Sequence, residues 1–186
     1  MRIFLSQIDA SEWLKDGKIL IHPTEGIWGI GCDALNKDSI ARVYELKQRP
    51  LDKSLIILCK NINDMTDFIA PINEKDMAFL NSMADKAITV LYEYNLNTTP
   101  VHLQNKTGKL AIRVSAHYHI KSLLKVFNGP IISTSANISG ASMHPDISQI
   151  QNDFDYDDVA FFDKPLGNLN QATPIIDLNS REAVRP

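Results

Sequence analysis

Residues 38–59, DSIARVYELKQRPLDKSLIILC, hold a helix, its stop and a strand in one run. Ile40, Val43 and Tyr44 share a helical face, Leu46 and Lys47 lie near its end, and Asn36 or Asp38 stands where an N-cap belongs. Pro50 biases Arg49 away from helical dihedrals and stops the element. The apolar run Ser54–Cys59 then reads as a strand. A helix joined to a strand by a short turn is the building unit of an α/β or α+β chain.

The alternation continues in both directions. KILIHPTEG predicts a strand over 18–24, followed by a segment punctuated by Gly26, Gly29 and Gly31. Downstream come helical stretches at 65–69 and 75–83, the second with Met77, Leu80 and Ala84 on one face; its methionines read as core filler. ITVLYEY (88–94) and KLAIRVSA (109–116) read as strands flanking a polar loop. YHIKSLLKVF (118–127) reads as a helix with Ile120, Leu123, Leu124 and Phe127 inward, ended by Gly129 and Pro130. A strand from Ile131 to Ser133 and weaker strand signals at 159–162 and 173–178 complete the pattern. The loop after Tyr94 allows antiparallel pairing, so the irregular alternation does not demand a doubly wound parallel sheet.

The chain has 186 residues, enough for one full core, and the expectation is a single domain spanning 1–186. Hydrophobic residues at 44% and charged residues at 22%, with no long apolar run, exclude a membrane-spanning class. Asp9, Glu12 and Asp16 interrupt the N-terminus before any signal-like segment, which predicts a cytoplasmic protein with Cys32 and Cys59 as free buried thiols. A formal charge of -3 argues against non-specific nucleic-acid coating. The charge is uneven. Asp153, Asp155, Asp157 and Asp158 read as a solvated acidic loop, whereas Arg42, Lys47, Arg49, Lys53 and Lys60 gather in one segment.

Three stretches carry candidate chemistry. In IISTSANISG (131–140), strand alternation sends Ser133, Ser135 and Asn137 toward one cleft, or else their side chains satisfy a turn. In LAIRVSA (110–116), Arg113 shares a side with Ala111 and Ser115, away from the deeper core. It is either an edge or salt-bridge residue or a bidentate clamp for carboxylate or phosphate. Lys47, Arg49 and Lys53 surround a proline-stiffened turn, where cations suit both a polyphosphate and a helix C-terminus. Thr24 and Glu25 end the first strand. No GxxxxGK[ST], GxGxxG or HExxH pattern is present. His22, His102, His117, His119 and His144 do not combine with the cysteines in zinc spacing, so no metal site is expected.

HPTEGIWGIGCDA (22–34), YELKQRPLDKSLIIL (44–58), LAIRVSAH (110–117) and IISTSANISG (131–140), in this order, resemble the YrdC-type threonylcarbamoyl-AMP synthases over roughly residues 5–180. The resemblance implies an open, strongly twisted mixed α/β sheet with flanking helices, enclosing a positively charged cavity. It implies an ATP-dependent nucleotidyltransferase that converts L-threonine, bicarbonate and ATP, with Mg²⁺ on the ATP phosphates, to threonylcarbamoyl-AMP and pyrophosphate. A downstream threonylcarbamoyl transferase complex would use the product to make N6-threonylcarbamoyladenosine in tRNA, with transient tRNA contact. By the same resemblance Lys47 and Arg49 are catalytic and hold the ATP phosphates, Ser133, Ser135 and Asn137 contact nucleotide and phosphate, and Thr24, Lys53 and Arg113 line the threonine and phosphate end. No protein nucleophile or general base is implied. Two departures stand out: Gly26-Ile27-Trp28 replaces a Thr-Val-Tyr segment, and 83–87 lacks a Trp-Pro-Gly-Pro-like turn. The rival readings are a nucleotide- or RNA-binding member without synthase activity, a carbamoyl-phosphate transferase and a structural module.

Overall fold

The computed structural model describes residues 1–83, 86–142, 146–169 and 171–185. Along the chain run β1 (Arg2–Phe4), α1 (Gln7–Lys15), β2 (Ile19–His22), β3 (Gly29–Gly31), α2 (Lys37–Leu46), β4 (Ile56–Cys59), a 3-10 turn (Ile62–Met65) and α3 (Glu74–Ser82). There follow β5 (Thr89–Glu93), a second 3-10 turn (Val101–Leu103), β6 (Lys109–Val114), α4 (Tyr118–Phe127) and β7 (Ile131–Ser135). α5 (Ile147–Asp153), β8 (Val159–Phe162), β9 (Ile175–Asp177) and β10 (Ala183–Arg185) end the series. The strands form one mixed sheet in the order β1-β8-β2-β3-β7-β4-β6-β5-β9-β10. β4 pairs parallel with β6 and antiparallel with β7, so the two segments richest in candidate residues lie on either side of it.

Strand alternation divides the core between the two sheet faces. Ile19, Ile21, Ile57, Ile112, Ile132 and Phe161 meet Ile40, Val43 and Leu46 of α2 and Ile150 of α5 on one face. Leu20, Leu58, Ile131, Ala160 and Phe162 occupy the other, under α1 and α4. Those two helices cover only part of their face. Beyond them Ile56 pairs with both Ala111 and Ser133 while Leu58 pairs with Arg113, so these polar residues continue the covered face into an open hollow.

Local signals explain most elements. Asn36 caps α2 by accepting from Asp38 N and Ser39 N at 3.1 Å each. The helix ends at Leu46, and Gln48 takes a left-handed φ of 48°, so the turn begins ahead of Pro50. No helix forms at 65–69; a 3-10 turn at Ile62–Met65 ends there, with Asp64 Oδ2 accepting from Asn61 N at 3.2 Å, and Pro71 follows. α3 is amphipathic only weakly: Met77 and Leu80 are half-buried, and Ala84 lies outside the described residues.

β3 forms where only glycine punctuation was expected. A Cβ at Gly31 would lie 1.7 Å from Ile132 O, so only glycine permits this approach to β7. The aspartates do not behave uniformly. Asp158 is half-buried and accepts from Arg42 Nε at 2.7 Å, which departs from a purely solvated loop. Cys32 and Cys59 are buried and free. Among the described residues no helix is long and apolar enough to cross a membrane.

Candidate active site

The uncovered part of the sheet face forms a cavity of about 340 Å³. Thr24, Ser133, Thr134, Ser135 and Thr173 bring hydroxyls to its lining, and Arg49, Arg113 and Arg185 are its charged side chains. No carboxylate stands on the lining among the described residues. Trp28 closes one side, buried against Phe161 with ring centroids 4.8 Å apart.

Thr24, Arg49, Arg113, Ser133 and Ser135 meet at one cavity, whereas Lys47, Lys53 and Asn137 are not on its lining. Lys47 follows α2 and runs beneath the end of β7, where Nζ donates to Ser135 O and to Asn137 O, the latter at 2.6 Å. Its carbonyl accepts from Ser139 N at 2.8 Å, closing the clasp from both ends. Burial, with repulsion from Arg49, pushes the Lys47 amine down to about 7. Ser135 Oγ donates to Asn137 Oδ1 at 2.6 Å, and Asn137 Nδ2 donates to Ala141 O at 2.7 Å. The two expectations for this motif thus both have a physical counterpart: Ser133 faces the cavity, while Asn137 shapes the turn.

Arg49 is held by the carbonyls of its own turn, with Nη2 donating to Ser54 O at 2.8 Å. Lys53 extends into solvent, and its carbonyl accepts from Tyr44 Oη at 2.9 Å. Thr24 Oγ1 donates to Ile27 O at 2.7 Å and sets the turn after β2. Gly26 follows there because a Cβ would sit 2.4 Å from Gln171 O and 2.7 Å from Leu169 O. The Gly26 departure therefore admits the backbone of Leu169 and Gln171 against this turn; Ala84 and Asp85 of the other departure lie outside the described residues.

The opposite wall centres on Arg113, which is 5% exposed. Its Nη1 donates to Glu25 Oε2 at 2.8 Å and its Nε to Thr89 Oγ1 at 3.1 Å. Thr89 Oγ1 and Thr173 Oγ1 are 3.2 Å apart, and Thr173 O accepts from Arg185 Nε at 3.2 Å and Nη2 at 2.6 Å. Burial alone would raise Glu25, but Arg113 and Ser115 outweigh it and hold the carboxyl below its usual value. The sequence marks Glu25 only as the end of a strand, with no role, and Thr89, Thr173 and Arg185 not at all, because each gains its meaning only when distant segments meet; Glu25 lies in the turn after β2.

The Sua5_yciO_yrdC family model, described as "Telomere recombination", matches residues 12–186. A threonylcarbamoyl-AMP synthase of Pseudoalteromonas translucida is 32% identical over 92% of this chain and 92% of its own length. One from Acinetobacter baylyi is 30% identical over 97% of this chain and 96% of its own. The crystal structure of P. abyssi Sua5 complexed with L-threonine superposes with a TM-score of 0.83 at 24% identity. That match covers 92% of this chain and 50% of the P. abyssi chain, so this chain spans half of that larger protein. The chain belongs to the YrdC/Sua5 family of threonylcarbamoyl-AMP synthase homologues.

Proposed function

We propose that the chain is an L-threonylcarbamoyladenylate synthase, forming threonylcarbamoyl-AMP and pyrophosphate from L-threonine, bicarbonate and ATP. The observation that carries this reading is one cavity in which three arginines and a strand end rich in hydroxyls converge without a facing carboxylate. Such a lining suits substrates that are all anionic: an amino-acid carboxylate, bicarbonate and a triphosphate. In the reaction the neutral threonine amine attacks the bicarbonate carbon, the C–O bond to its hydroxyl breaks, and water leaves with the amine proton to give a carbamate. A carbamate oxygen then attacks the α-phosphorus, and pyrophosphate leaves with the electron pair of the broken P–O bond.

Arg49 is assigned to the phosphates, with Lys47 contributing charge behind the same wall, where both offset what develops on the transferring phosphoryl group. Ser133 and Ser135 fix phosphate oxygens, and Asn137 holds the turn that presents them. Thr24 and Arg113, on the lining, are assigned to the threonine end, and Lys53, which extends into solvent off the lining, to the outer phosphate edge. Mg²⁺ enters as part of the ATP substrate: the lining offers hydroxyls and guanidinium groups, so phosphate oxygens and water would supply its ligands. Holding three reactants together and shielding a labile carbamate then provides the main rate advantage. The product would pass to a threonylcarbamoyl transferase that modifies tRNA adenosine, with transient tRNA contact at the hand-over, in the cytoplasm.

The test is incubation of the protein with L-threonine, labelled bicarbonate and Mg·ATP, followed by chromatography for labelled adenylate. Labelled threonylcarbamoyl-AMP is expected. ATP binding without labelled product would favour a nucleotide-binding family member that lacks the synthase reaction.

A further inference from the structure

Glu25 is 6% exposed and stands behind the cavity lining. Three donors take up its carboxylate: Arg113 Nη1 on Oε2 at 2.8 Å, and Ser115 Oγ at 2.7 Å with Ala116 N at 3.2 Å on Oε1. Its backbone is clamped as well. Glu25 O accepts from Leu169 N at 2.8 Å, and Gly167 packs so closely that a Cβ would lie 2.5 Å from that oxygen. A carboxylate held in this way does not reach a substrate; it reaches Arg113.

Two points then fix the guanidinium, Glu25 on Nη1 and Thr89 on Nε. Nη2 makes no hydrogen bond to a described residue and belongs to a side chain on the lining, so one edge of the fork is left for a ligand. Arg185 shares this lining, where burial first and then Arg113 disfavour its charge. Glu25 places a buried negative charge against Arg113, which favours the charged guanidinium there despite burial.

We propose that Glu25 is a positioning residue that orients Arg113 to receive the carboxylate of the amino-acid substrate, setting affinity for the amino acid and leaving that for ATP unchanged. This rests on the assignment of Arg113 to the threonine end of the cavity. Glu25→Gln keeps the size of the side chain and turns an amide toward Arg113, so the guanidinium loses its anchor. The expected result is a rise in the KM for L-threonine of about 10-fold or more with the KM for ATP within about 2-fold.

A purely structural role would not distinguish substrates by their carboxylate, so binding of L-threonine and L-threoninamide is compared by calorimetry. Wild-type protein is expected to prefer L-threonine by about 10-fold or more and Glu25→Gln to bind both nearly equally. Glu25→Asp, which keeps the charge on a shorter arm, carries the same measurements should Glu25→Gln fail to fold, with an intermediate loss of preference expected. A variant that retains the wild-type preference, or that shifts the KM for ATP instead, overturns the positioning role. Wild-type protein that binds and discriminates L-threonine but forms no adenylate overturns the proposed reaction and not this inference; wild-type protein that binds neither compound overturns both.

Discussion

The two walls of the cavity each rest on a buried cation, and they hold it in opposite ways. Arg113 is 5% exposed and paired with a carboxylate, whereas Lys47 is 1% exposed and meets carbonyl dipoles. A guanidinium beside a carboxylate keeps its charge at any ordinary pH. An amine buried among neutral dipoles does not, and Lys47 falls to about 7. One wall therefore carries a fixed charge. The other carries a charge that pH and a bound anion can change.

The largest expected effect breaks the Arg113 side. Arg113→Met leaves Glu25 as a buried, unpaired carboxylate and should cost about 3–5 kcal/mol of stability, read from denaturant midpoints. Lys47→Met takes a donor from Asn137 O and from Ser135 O, which still accepts from Asn137 N, and also removes a desolvated charge, so about 1–3 kcal/mol is expected. Equal losses in the two variants would erase the contrast. Arg49→Ala, on the Lys47 wall, should lower adenylate formation by about 10²–10³-fold, with a thermal midpoint close to wild type because this side chain is only half-buried.

Stability against pH sharpens the comparison. The folded-state value of Lys47, about 7, lies below its ordinary 10.5, so the unfolded chain binds more protons between these limits. Its contribution to stability therefore rises with pH across that window, by at most about 1.4 kcal/mol per pH unit, and is flat below it. Lys47→Met should flatten the wild-type curve there, while Arg49→Ala, which removes only the smaller, repulsive cause, should narrow the window from its lower end and leave the slope. A polyphosphate beside Lys47 would favour its charged form, so Mg·ATP binding above pH 7 should take up protons, seen as a dependence of calorimetric heat on buffer ionisation enthalpy.

The smallest effect concerns His22. It is fully buried, its Nδ1 bonds Pro23 O at 2.9 Å, and burial lowers it to about 4 from 6.5. The unfolded chain binds the extra proton between those values, so stability should rise with pH across that interval and fall again as pH drops toward 4. His22→Phe should reduce the slope. An unchanged slope would place the acid sensitivity elsewhere.

Much of this architecture was legible in the sequence because apolar side chains repeat with the period of the element that carries them. α2 and α4 follow the 3.6-residue spacing of Ile40, Val43 and Leu46 and of Ile120, Leu123, Leu124 and Phe127. β4, β6 and β7 follow apolar runs in the same way. Gly29 to Gly31 has almost no side chains to repeat, and its strand character comes from β2 and β7 on either side. β1 and β10 are three residues each, too short for a period, and exist through their neighbours. In the site, Ser133 and Arg113 announced themselves as polar residues on apolar strands. Glu25 did not, since its partner lies 88 positions away and the pair forms only when the turn after β2 meets β6.

On the proposed function, this cavity joins threonine, bicarbonate and ATP in one reaction. Pyrophosphate release measured with each substrate omitted in turn tests it directly. Release that requires all three substrates, matched mole for mole by threonylcarbamoyl-AMP, is the predicted result. Release that persists without threonine or bicarbonate, or no release with all three present, would contradict it.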